Sequence, residues 1–156
     1  MTTPDMDIID RTILRLLMRN ARMPYLEIAR ECGISGAAIH QRVKKLTDLG
    51  VIQSTRLVVD PKSLGFDVCA FIGIQLRDVA LHDSTVETLR QVPEVVECHF
   101  ITGKFNLFIK VYCRDNDHLM HTIFERILTV PSIVSTETFI VLQDTFSRQV
   151  SIDDML

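Results

Sequence analysis

The residues whose chemistry is easiest to name lie between positions 35 and 45: Ser35, Gly36, Ala37, His40, Gln41, Lys44 and Lys45. A helix that begins after Ser35 advances about 100° per residue, which puts Ile39, Val43 and Leu46 on one side. Ala37, Gln41 and Lys44 then fall on the other side, flanked by Ala38, His40 and Lys45. Glutamine can pair bidentately with adenine, lysine reaches guanine or phosphate, and an alanine methyl can touch a thymine methyl. Such a face suits a helix laid in the major groove of double-stranded DNA. The small residues Gly36, Ala37 and Ala38 would let the backbone come close to the duplex. Arg42 sits at the border of the apolar side and is expected to form a structural ion pair before it contacts DNA. The bland alternative is a helical hairpin with a solvated basic face.

The flanking elements favour the first reading. Residues 24–34 form a preceding short helix and turn, with Leu26, Ile28 and Ala29 as its apolar side. Cys32-Gly33-Ile34 is the turn, where Gly33 can take a positive φ. Ser35 stands where an N-cap belongs. Gly50 closes the second helix as a C′ glycine does, and Val51-Ile52 is expected to start a strand that serves as a wing. Upstream, residues 7–20 place Ile9, Ile13, Leu16 and Leu17 on one side and Arg11, Arg15 and Arg19 on the other. Residues 1–60 are therefore expected to be a winged helix–turn–helix DNA-binding domain.

Charge distribution agrees with this. The net charge is −3, but residues 1–60 carry nine Lys/Arg against seven Asp/Glu and residues 61–156 eight against thirteen. A basic half beside an acidic half fits a DNA-binding head on a body with another task. The apolar runs are too short to span a membrane, and an N-terminus with Asp5, Asp7 and Asp10 is not a signal peptide. Four well-separated cysteines without a Cys-x-x-Cys pair read as reduced thiols of a cytoplasmic protein.

Residues 61–68 read as a linker, with the turn-rich DPKSLG at 60–65 as the joint. Beyond it, strands at 69–76, 95–102, 105–113 and 133–142 alternate with helices at 82–91 and 117–128. This βαββαβ order is the ferredoxin-like plait, an α+β arrangement that places both helices on one face of the sheet. The other face, with Phe71, Phe108 and Phe139 among the strand residues, should bury against a second copy. A two-fold dimer would read a pseudo-palindromic operator. The second domain is taken as 69–143 and the C-terminal tail as 144–156, acidic at its end and loosely ordered. No nucleophile–base pair, paired carboxylates or phosphate loop stands out, so no catalytic residues are assigned and the chain is not read as an enzyme. His118 and His121 lack a third ligand and read as exposed helix histidines, so no metal site is assigned.

The helix–turn–helix with LGVI, the DPKSLG joint, the Thr102-Gly103 turn and the closing STETFIVLQ together resemble the leucine-responsive/asparagine-responsive (Lrp/AsnC) transcription regulators. FDVCAFIGIQL, FNLFIKVYCR and STETFIVLQ lean toward the asparagine-responsive branch. The resemblance spans about residues 7–143. It implies a plait that binds a small amino acid between dimers, with asparagine as the candidate from the branch, and assembly into rings, commonly octamers, with no other cofactor. It places the effector at the turn Thr102, Gly103, Lys104, Phe105 and Asn106, with Ser135, Thr136, Glu137 and Thr138 as contacts from the second side. Backbone amides at the glycine turn would receive the carboxylate, and the Asn106 carbonyl would accept from the ammonium or from a side-chain amide. Many relatives carry Asp where this chain has Asn106, which leaves the effector's identity open. The alternative is a winged-helix regulator whose plait only oligomerises.

Overall fold

The computed structural model describes residues 4–152. The acidic end of the tail, Asp153 and Asp154, lies outside the described residues. The chain divides into two units: the described residues of Met1–Leu57 with Ser147–Leu156, and Val58–Phe146. Residues 147–152, in the segment expected to be a loosely ordered tail, thus group with the first unit.

The first unit contains α1 (Ile8–Arg19), α2 (Tyr25–Cys32) and α3 (Gly36–Asp48). Three of these termini have a local cause. Asp7 caps α1 by accepting from the Asp10 amide at 2.8 Å, and Ser35 Oγ accepts from the Ala38 amide at 3.2 Å to cap α3. Gly33, at φ 66°, ends α2 in the left-handed region and allows the turn into α3. The three helices meet over Ile13, Ile28, Ala29 and Ile39. Full burial of a side chain such as Ile39 contributes about 2–3 kcal/mol. Leu26 departs from its expected place, being 61% exposed.

No strand forms between α3 and residue 60. Val51 and Ile52 instead close the helix by bonding back to the Leu46 carbonyl at 2.9 and 3.1 Å, and residues 53–60 follow without a partner strand. The expected wing is therefore absent from this unit. A lone extended segment has no neighbour to accept and donate its ladder bonds.

The second unit contains β1 (Val68–Leu76), α4 (His82–Arg90), β2 (Val95–Phe100), β3 (Leu107–Cys113), α5 (Asn116–His121) and β4 (Ile133–Ile140). The strands pair antiparallel in the order β2-β3-β1-β4, as the plait requires. Strand alternation separates two faces. Ala70, Ile72, Ile74, Leu107, Ile109 and Val111 bury against Leu89 of α4 and Leu119 of α5. Phe71, Gly73 and Gln75 of β1, Phe108, Lys110 and Tyr112 of β3, and Glu137 and Phe139 of β4 point the other way.

The second helix expected at 117–128 is shorter than that and continues differently. It gives way to a π-helical stretch at Thr122–Ile127, where the Leu128 amide bonds the Ile123 carbonyl at 2.8 Å. The extra residue in the turn lets Leu119, Thr122 and Ile127 all face the core. His118 is not an exposed helix histidine either. Its Nε2 lies 3.0 Å from Oε1 of buried Glu94, and its Nδ1 accepts from the Arg114 amide at 3.1 Å.

Candidate nucleic-acid and effector sites

On α3, Ala37, His40, Gln41, Lys44 and Lys45 are exposed, opposite fully buried Ile39 and Leu46. The positions nominated for DNA share one surface, but they are not equally free. Ser35 is engaged as the cap. Lys44 pairs with Asp48 one turn on at 2.7 Å, an exposed contact that a phosphate can replace. His40 packs edge-on against Tyr25 of α2 with ring centroids 4.5 Å apart. Lys45 reaches back to Asp10 Oδ2 at 3.3 Å, which ties it to α1.

Arg42 is the structural cation expected from its border position. It donates to Asp7 Oδ2 and Asp10 Oδ1, each at 2.7 Å. The Asp10 amide and the Arg42 guanidinium hold the Asp7 carboxyl below its ordinary range, and the two carboxylates hold the Arg42 guanidinium more firmly protonated. This network ties α3 to the start of α1.

In the second unit the two nominated stretches converge on the open face of the sheet. Gly103, at φ 110°, turns the chain between β2 and β3. Lys104 forms an ion pair with Glu137 of β4. Gln75 of β1 links the same two elements: its Nε2 donates to the Lys104 carbonyl at 3.1 Å, and its Oε1 accepts from Ser135 Oγ at 2.6 Å. Gln75 escaped the sequence reading, although an amide inside the apolar run CAFIGIQL was the signal. Alternation divides the β4 set. Ser135 pairs across from Gln75 and Glu137 from Gly73, whereas Thr136 and Thr138 pair across from the core residues Ile74 and Ile72 and so belong to the helix-covered face.

Phe105 lies flat on β1 where Gly73 has no side chain; a Cβ there would sit 2.5 Å from its ring carbons. The same ring is 6.4 and 6.5 Å from Phe108 and Phe139, so the turn is anchored in the aromatic cluster of the open face. Asn106 differs from its expected role. Its Oδ1 accepts from the Leu76 amide at 2.8 Å, its own amide donates to the Ile74 carbonyl at 2.9 Å, and its carbonyl accepts from the Ile101 amide at 3.0 Å. The side-chain oxygen is engaged by the backbone, and the carboxylate that can face an ammonium is Glu137. The turn thus brings the Lys104 cation against the Glu137 carboxylate of β4, beside Gly73, Gln75 and Phe105.

Comparison with known proteins bears on both units. Residues 69–150 match the Lrp/AsnC ligand binding domain and residues 6–47 the AsnC-type helix-turn-helix domain. The chain is 44% identical over 144 residues to the regulatory protein AsnC of Escherichia coli K12, covering 92% of this chain and 95% of that one. It is 36% identical over 146 residues to regulatory protein AsnC of Haemophilus influenzae, covering 94% and 97%. The solved structure of E. coli AsnC superposes with a TM-score of 0.88 at 43% identity, over 94% of this chain and 99% of that one. A feast or famine regulatory protein from M. tuberculosis, solved in complex with L-methionine, gives 0.88 at 27% identity, over 95% and 99%.

Proposed function

The chain belongs to the Lrp/AsnC family of DNA-binding transcription regulators with an amino-acid-binding domain, and on that premise we propose how this chain divides the work. The exposed face of α3 reads the operator through Ala37, His40, Gln41 and Lys44, with Gly36 allowing close approach and Ser35 and Lys45 setting the helix in place. Two copies associate through the open sheet face, whose Phe71, Phe105, Phe108 and Phe139 form one aromatic surface. The resulting two-fold symmetry matches a pseudo-palindromic site in double-stranded DNA. Dimers join into a larger ring, an octamer in the family pattern, acting in the cytoplasm.

The effector is a small amino acid, with asparagine the first candidate from the family branch. It binds where Thr102, Gly103, Lys104 and Asn106 meet Ser135 and Glu137. The observation that carries this reading is the Lys104–Glu137 pair held by Gln75, which sets opposite charges against the two ends of a zwitterion. The effector alters DNA affinity only as far as it binds one assembly better than another.

Titration of the purified protein with each of the twenty amino acids, followed by thermal shift and light scattering, tests this. A ligand at a hundred times its Kd stabilises the native state by about 2.7 kcal/mol. One or a few hits with a change in assembly supports the sensor. Silence across all twenty, with operator binding retained, supports a second domain that only oligomerises.

A further inference from the structure

A cation stands among the rings of the open sheet face. Strand register sets Glu97 of β2, Lys110 of β3, Phe71 of β1 and Phe139 of β4 in one row across the sheet. Lys110 lies on an interior strand. Its ammonium is 5.6 Å from the centroid of the Phe71 ring and 5.2 Å from that of Tyr112, and its side chain is only 19% exposed. The stem thus spreads over apolar surface while the charged head stays in water. The acid beside it is Glu97, whose Oε1 is 3.8 Å from Nζ, beyond hydrogen-bond range. Glu137 on the same face is already paired with Lys104. In a single copy, water completes the hydrogen bonds of both Lys110 and Glu97. Beneath a second copy it cannot, and a lysine is charged at neutral pH. A desolvated cation is strongly disfavoured unless a carboxylate meets it.

We propose that Lys110 and Glu97 determine which sheet can cover the open face: Lys110 selects a partner with a carboxylate placed as Glu97 is, which is a second copy of this chain. This rests on the reading of the open face as the dimer surface. A two-fold interface is self-complementary, so Lys110 of each copy meets Glu97 of the other and the two contacts are equivalent. The rings of Phe71, Phe108 and Phe139 supply apolar area, which any plait with an apolar face can match. The charges supply the choice. A related sheet without the acid leaves Lys110 buried and unpaired, and that repulsive element is what separates self from non-self.

Charge exchange separates a contact between copies from one within a copy. Förster transfer between separately labelled full-length chains reads their association, and circular dichroism checks that each variant is folded. Lys110→Glu and Glu97→Lys should each weaken self-association by at least about tenfold. Mixed in equal amounts, the two variants should associate within about threefold of the unchanged protein, because each altered charge then faces its opposite on the other chain. A mixture no tighter than either variant alone confines the pair to one copy and overturns the assignment. Unaltered self-association of either variant overturns it too. If one of them does not fold, Glu97→Gln decides. It should weaken association at least about tenfold, and adding Lys110→Met should bring it back to within about threefold. An unaffected Glu97→Gln, or a loss that Lys110→Met does not repair, removes Lys110 as the selector and leaves the dimer standing. Unchanged protein that sediments as a monomer removes the dimer reading and the selector together.

Discussion

Arg42 Nη1 lies 2.7 Å from Oδ1 of Asp10, a carboxylate whose side chain is completely buried between α1 and α3. Lys45 Nζ approaches the second oxygen at 3.3 Å, and the same guanidinium nitrogen also holds Asp7. A buried carboxylate without a cation is strongly disfavoured, so the pair dictates how α3 sits against the rest of the head. Arg42→Ala leaves Lys45 on Asp10 and should cost about 3 kcal/mol in urea unfolding, the low end for breaking a buried pair, because Lys45 remains. The variant should bind DNA nearly normally at a temperature low enough to keep it folded. A loss of DNA affinity with unchanged stability would mean that Arg42 contacts the duplex instead.

The same network gives the head an acid limit. The Asp7 carboxyl is held below its ordinary value first by the Asp10 amide and next by the Arg42 guanidinium. A group whose folded value is depressed stabilises the fold above its unfolded value, about 4, and that contribution vanishes as pH falls through the lower, folded value. Unfolding between about pH 5 and pH 2 should therefore show less pH dependence in Asp7→Asn than in the unchanged protein. Equal slopes for the two would remove Asp7 from the acid response.

Features governed by neighbours in the chain were legible before any coordinates. Ser35, Gly33 and the Ile39–Leu46 face are local matters of capping, φ and periodicity, and the plait order follows from alternating strand and helix patterns. Features decided by distant partners were not. Asp10 reads as one more acid near the start of α1, and its burial follows from two cations more than thirty positions away. Asn106 offered a carbonyl on paper that β1 had already engaged through Leu76. That Thr136 and Thr138 face the helix-covered side, opposite to Ser135 and Glu137, follows from strand alternation once the register is fixed. The wing failed for lack of a strand to pair with, which no local pattern in residues 51–59 discloses.

Exposure on α3 separates two kinds of DNA contact. Gln41 can read a base edge, whereas Lys44 is already in an exposed ion pair with Asp48 that a phosphate would replace. Gln41→Ala should weaken operator binding by about 1–3 kcal/mol while leaving nonspecific binding nearly unchanged. Lys44→Ala should weaken binding to all sequences and reduce the salt slope of log K by about 0.9. Fluorescence anisotropy on operator and scrambled duplexes over a salt series separates the two. Unchanged operator affinity in both variants would rule out this face as the reader.

Gly73 and Phe105 join the 102–106 turn, the proposed effector site, to the open sheet face. A methyl at position 73 would meet the Phe105 ring at 2.5 Å, so Gly73→Ala must push the ring off β1. Overpacking of this kind costs about 1–3 kcal/mol. The displaced ring carries Lys104 and Asn106 with it, so amino-acid binding should weaken along with stability. Phe105→Ala alone should also destabilise, by removing a ring from the cluster with Phe108 and Phe139. The two changes should not add, because deleting the ring removes the clash that the methyl creates. A double-mutant cycle in urea should therefore give a coupling of about 1 kcal/mol or more in the compensating direction. Additive costs would mean that the ring has another resting place, and that the turn keeps its position without Gly73.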